Sequence, residues 1–239
     1  MTTINVNAID SSTSTLTIGE SGNSVVAADS VNVNLVKDAS GATMWQSNGS
    51  GVLSTENSAF GDSLVLLSTQ TADESASIEF TSGIDATYKE YIFKYINIHP
   101  ATDGSSFSFQ CSKDGGSTYN LVTTSSTFRA YHTESDSAAV LAYDNSTDQE
   151  QGTGYQWLAE NFGSDNDQSG SGTLTLYSPS NTTFVKNYVG RCTRVSSNDN
   201  SYDFYLGGYF NDTSAINAIS FKMSAGNIGA GTIKMYGVK

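Results

Sequence analysis

Apolar and polar positions alternate along most of this chain with a period of two, the spacing that turns one face of a β-strand inward and the other outward. Ala76, Ile78 and Phe80 share a face, as do Phe107 with Phe109, Leu174 with Leu176, Ile219 with Phe221 and Met223, and Ile233 with Met235. No stretch carries a convincing helical period. Between the runs lie turn clusters rich in Gly, Asn, Asp and Ser, such as ATDGSS, KDGGS, FGSDNDQSGSG and SSNDNS; these are the residues that reverse a chain. The stretch EYIFKYINIHP (residues 90–100) is the strongest strand. Tyr91, Phe93 and Tyr95 share one side, and Ile92, Ile96 and Ile98 the other with Lys94. Two apolar faces predict an interior strand, which Pro100 should end. The expected fold is all-β, a β-sandwich or jelly roll over residues 66–239.

Residues 1–65 read differently. Short apolar groups, among them Leu16/Ile18 and Val31/Val33/Leu35, are separated by Gly, Ser and Asn. Strands this thin cannot bury a core alone and need stacking partners or sister chains. The following GATMWQSNGSGVLST reads as an extended connector anchored by the ring of Trp45. The segment is expected to be a small attachment and assembly element, with Val31, Val33, Leu35 and Trp45 as its contacts.

Composition narrows the function classes. In 239 residues, 24 acidic against 11 basic side chains give a formal charge of −13, which repels nucleic acid and anionic membrane surfaces. The 13 Tyr and 11 Phe supply core area that a Ser/Thr-rich chain would otherwise lack. The start shows neither a basic nor an apolar leader region, and no apolar run approaches the ~20 residues of a membrane helix. Synthesis in a reducing cytoplasm is expected, with Cys111 and Cys192 as buried free thiols.

The search for chemistry finds little. His99 and His132 lie outside any Ser-His-Asp or Cys-His setting. The acids sit in polar loops (Asp144/Asp148, Asp165/Asp167, Asp199/Asp203), while Glu79, Glu90 and Glu160 have no evident partner. No catalytic set and no cofactor are expected, with calcium at Asp165 and Asp167 the one alternative kept open. Ser112, Asp114, Gly116, Thr118 and Tyr119 match the Asp-box spacing known from sialidases. Each has a folding role: Asp114 accepts from turn amides, Gly116 permits a positive φ, Ser112 and Thr118 bracket two strands, and Tyr119 covers them. The motif is read as a hairpin turn and not as a site. Tyr143, Tyr155, Trp157, Tyr202 and Tyr205 lie near polar loops and could form a glycan-stacking platform.

Residues 76–120, with NIHPATDG and the Asp-box turn, and the closing 209–239, with SAGNI and MYGV, resemble structural proteins of tailed phages infecting aquatic bacteria. The segment TLTIGESGNSVV is similar to pieces near the start of phage fibre and decoration proteins. The resemblance implies a virion component with a β-sandwich domain, often trimeric, displayed on the particle exterior as tail fibre or capsid decoration. Other virion proteins and further copies of the chain are the partners implied. The expectation is therefore a non-enzymatic virion structural protein. The alternative is a carbohydrate-binding module for host attachment.

Overall fold

In the computed structural model, residues 35–37, 40–47, 49–50, 53–56 and 63–239 are described. The chain divides into two compact units, residues 1–61 and 62–239. In the first, β1 (Leu35–Lys37), β2 (Thr43–Ser47) and β3 (Leu53–Glu56) form one antiparallel sheet in that order. Trp45 lies in the middle strand, opposite Val36 and Glu56, and is half-buried; Leu35 is exposed. The stretch read as a connector is thus strand, because β2 finds a partner on both sides. Val31 and Val33 lie outside the described residues.

The second unit contains only strands among its regular elements: β4 (Leu64–Ser75), β5 (Ile78–Phe80), β6 (Glu90–Pro100), β7 (Ser105–Ser112), β8 (Thr123–Thr133), β9 (Ala139–Tyr143), β10 (Gln156–Phe162), β11 (Gly170–Tyr177), β12 (Lys186–Val195), β13 (Asn200–Phe210), β14 (Ala218–Met223) and β15 (Ile228–Val238). One sheet has eight strands in the order β4-β15-β6-β11-β12-β13-β8-β9; the other has four, β10-β7-β14-β5. Both are antiparallel throughout and pack as a β-sandwich. The sheets are unequal, eight strands against four, where a jelly roll divides its eight strands between two sheets.

The core follows from the alternation. Phe107, Phe109 and Phe221 of the small sheet and Phe93, Tyr95, Tyr188 and Phe204 of the large one are all buried. The Phe221 ring lies 5.6 Å from Phe93, 5.9 Å from Phe107, 6.3 Å from Phe80 and 6.4 Å from Phe109. Cys111 and Cys192 are buried free thiols whose acidity burial suppresses.

Strand β6 is interior, between β15 and β11. One of its residues departs from the simple alternation. Ile98 is buried in the core, not on the outer face with Ile92 and Ile96. Asn97 has a φ of 51°, and both neighbouring ladders slip beside it. The bulge inserts one residue and turns Ile98 inward.

The Asp-box residues form a tight hydrogen-bonded turn, but it does not join two paired strands. β7 pairs with β10 and β14, and β8 belongs to the other sheet, so residues 113–122 carry the chain across the sandwich. The Asp114 carboxylate accepts from the Ser112 hydroxyl at 2.6 Å, the Thr118 amide at 2.9 Å and the Thr118 hydroxyl at 2.6 Å. Gly115 and Gly116 have φ of 73° and 93°, and a Cβ at Gly116 would meet Thr81 and the Tyr119 hydroxyl at 2.8 Å. A sheet-to-sheet crossing needs this compact reversal, and only glycine enters it without strain.

The hydroxyls of Ser112 and Thr118 hold the Asp114 carboxyl at about 2, below its ordinary 3.8. Its stabilising contribution is therefore fully present above about pH 4 and is lost as pH falls toward 2. Asp114→Asn should lower the melting temperature at pH 5, with the difference from the parent closing near pH 2. A gap of the same size at both pH values would refute the carboxylate clamp.

Candidate functional site

The free surface with most chemistry is the outer face of the large sheet where β12, β13, β8 and β9 adjoin. Register places Arg191, Tyr205, Phe128 and Tyr143 in one row across these strands. The next row runs Thr193, Asp203, Ala130 and Leu141. The alternating partners Cys192, Phe204 and Leu206 point into the core.

Within the first row, Phe128 and Tyr205 stack with ring centroids 4.7 Å apart and planes 4° from parallel. The Arg191 guanidinium lies 4.9 Å from the Tyr205 ring. Arg191 also grips Asp203 through two nitrogens, Nε to Oδ1 at 3.0 Å and Nη2 to Oδ2 at 2.6 Å. This grip draws the Asp203 carboxyl below its usual range, and Asp203 in turn raises the affinity of Arg191 for its proton. The Tyr205 ring is thus occupied by Phe128 and Arg191. Phe128 and Tyr143 are 45% and 53% exposed; Tyr143 donates to Asp148 at 2.7 Å, which pushes its phenol up. Beside the row, Ser171, Gly172, Thr173, Arg191, Thr193 and Asp203 line a shallow hollow of about 450 Å³.

The five rings read as one platform lie on three surfaces. Tyr143 and Tyr205 share the outer face of the large sheet. Tyr202 points to the core side, stacked on Tyr131 at 4.8 Å, with the Arg194 guanidinium 4.1 Å from its ring. Trp157 sits opposite Ser108 on the small sheet, and Tyr155 donates to Ser220 there under Lys222, whose Nζ is 4.0 Å from the ring. The strand period separates them: Tyr202 and Tyr205 are an odd number of residues apart and must face opposite ways. Phe128, the ring that completes the row, does not stand out in the sequence because no polar loop flanks it. Its signal was the alternation with Ala130 inside TTSSTFRAYHT.

Two acids read as solvated or unpartnered are neither. Asp144 is buried, with its side chain 3% exposed, and accepts from Arg129 at 2.7 Å; Glu160 is bound to the same guanidinium nitrogen. Glu160 stands on β10 of the small sheet and Arg129 on β8 of the large one, so the pair ties the two sheets together at their edge. Arg194 lies close by, 3% exposed. Burial lowers its pKa to about 10, and the Tyr202 ring replaces part of its lost hydration. Both carboxylates are engaged by Arg129.

Asp165 and Asp167 sit in a loop closed by Gln168, whose Oε1 accepts the Asp165 amide at 3.0 Å. Among the described residues, no group of three His, Cys, Asp or Glu side chains converges as a metal site. His99 Nδ1 lies 2.8 Å from the Gln168 carbonyl, and His132 lies 3.1 Å from Asp136 at an exposed turn.

The edge of this surface is β9. Among the described residues it pairs only with β8, its five residues are Ala139, Val140, Leu141, Ala142 and Tyr143, and Leu141 is 74% exposed. Comparison with known proteins supplies no relative for any part of this arrangement: no family model matches the chain, nor does any curated protein or solved structure.

Proposed function

We propose that this chain is a non-enzymatic structural protein of a tailed-phage virion, displayed on the particle exterior and working by protein–protein assembly. The observation that carries the reading is the β9 edge. In a chain of net charge −13, one edge strand has no charged residue and presents Leu141, Val140 and Tyr143 to solvent. Soluble proteins that work alone blunt such edges with Lys, Pro or a bulge. An edge left unblunted fits a protein that is covered in its working state. The resemblance of residues 76–120 and 209–239 to phage structural proteins supports the virion setting.

The test is immuno-electron microscopy of purified particles with antiserum raised against the chain. Label on the particle exterior supports the reading. Protein abundant in the lysate but missing from purified particles would overturn it.

A second reading, glycan recognition during host attachment, is favoured by one observation: Phe128 and Tyr143 are exposed and directly opposite each other on the outer face of the large sheet. A sugar ring can lay its apolar face on such exposed rings while its hydroxyls reach polar neighbours. Binding on a glycan array that disappears in Phe128→Ala with Tyr143→Ala would establish it; an array without signal would remove it.

A further inference from the structure

The geometry points to a second copy of this chain as the occupant of the β9 edge, joined antiparallel about a two-fold axis at Leu141 into one continuous sheet. This rests on the assembly reading above and names its partner. The backbone directions come first. Thr133 N–H donates to the Ala138 carbonyl at 3.1 Å, and Asp144 N–H to the Thr127 carbonyl at 2.9 Å. Residues 138 and 144 therefore point toward β8. In an antiparallel ladder the direction alternates, so Ala139, Leu141 and Tyr143 aim their N–H and C=O groups outward, where the described sheet has no further strand.

The side chains then fit a copy of themselves. With Leu141 on the axis, Leu141 faces Leu141 of the second copy, Tyr143 faces Ala139, and Val140 faces Ala142. Each bulky residue but the central one meets a small one. The outward groups of three residues per copy would form about six backbone hydrogen bonds. A two-fold interface must be self-complementary in this way, and a strand without charge is the part of a −13 chain that two copies can bring together at least electrostatic cost. Each copy carries a formal charge of −13, so the two chains repel at long range and salt should strengthen the association.

The register is tested by crosslinking in the full chain. Residues facing each other as a hydrogen-bonded antiparallel pair have Cα atoms ~5.5 Å apart, within disulfide reach, whereas the two Ala139 positions would lie four residues apart along the ladder, ~13 Å. Both native cysteines are buried. Under mild oxidation, Leu141→Cys should give a covalent dimer and Ala139→Cys at least tenfold less. Failure of Leu141→Cys to crosslink, or equal crosslinking by both variants, would overturn the proposal.

Analytical ultracentrifugation gives the second test. The parent should associate reversibly, more at 0.5 M than at 0.05 M salt, where the screening length falls several-fold. Leu141→Pro should weaken association at least 100-fold with an unchanged fold, because the lost N–H points outward and the β8 ladder survives. Association that weakens with salt, or that Leu141→Pro leaves intact, would overturn the pairing. Either result leaves the virion reading to its own test on particles.

Discussion

Phe221→Ala is expected to destabilise the larger unit by about 3–5 kcal/mol, the cost of emptying an aromatic site in a close-packed core. Phe221 is fully buried on β14, one of the two interior strands of the small sheet, and its ring touches Phe80, Phe93, Phe107 and Phe109. These neighbours come from both sheets and are held by separate ladders, so they cannot all collapse into the void. Phe221→Leu refills most of the volume and should recover more than half of the loss. Urea unfolding followed by tyrosine and tryptophan fluorescence measures both, as a shift in midpoint at constant slope. A loss for Phe221→Ala below about 1 kcal/mol would mean that the sandwich does not centre on this ring.

Arg129→Ala should cost about 3–5 kcal/mol, the range for breaking a buried ion pair from one side. Removing the guanidinium strands Asp144, whose side chain is 3% exposed, and frees Glu160 from the opposite sheet. The penalty comes from the orphaned carboxylates, so Arg129→Met combined with Asp144→Asn and Glu160→Gln should restore most of the stability. Arg191 grips Asp203 through two nitrogens, yet its side chain is 60% exposed, and water replaces what it loses. Arg191→Ala should therefore matter far less than Arg129→Ala. If the two substitutions cost the same, burial is not what gives the Arg129 cluster its weight.

What the sequence makes legible is local. Tyr91, Phe93 and Tyr95 alternate inside one run, and the structure buries all three. The Asp114 turn can be read because its partners lie within four residues on either side. The failures come where the deciding contact is far away in sequence. Ile98 turns inward because of a bulge at Asn97, whose amide donates to the Ser171 hydroxyl at 2.9 Å. Glu160 has no visible partner because Arg129 precedes it by 31 residues and stands in the other sheet. The turn after β7 looks like a hairpin because nothing local says that β8 belongs elsewhere. Phe128 and Leu141 escape a sequence reading for a different reason: aromatics near polar loops suggest a binding platform, whereas the exposed surface is a sheet face and its apolar edge. Strand register brings Arg191, Tyr205, Phe128 and Tyr143 into line, and register cannot be read from one strand alone.

The ladder between β4 and β15 pairs Leu64 with Val238, and it bears on how the protein is made. β4 is the first strand of the larger unit to leave the ribosome, and it must wait for the last one before it has any neighbour in its sheet. β6 likewise lacks its β15 side until then. The larger sheet therefore cannot close until β15 has been made, and its earliest apolar strand stays available to chaperones, or to misassembly, until then. A chain stopped short of residue 228 would carry twelve residues of β4 with nothing to pair with. Such a fragment is expected in the insoluble fraction, whereas the chain carried through Val238 is expected to fold.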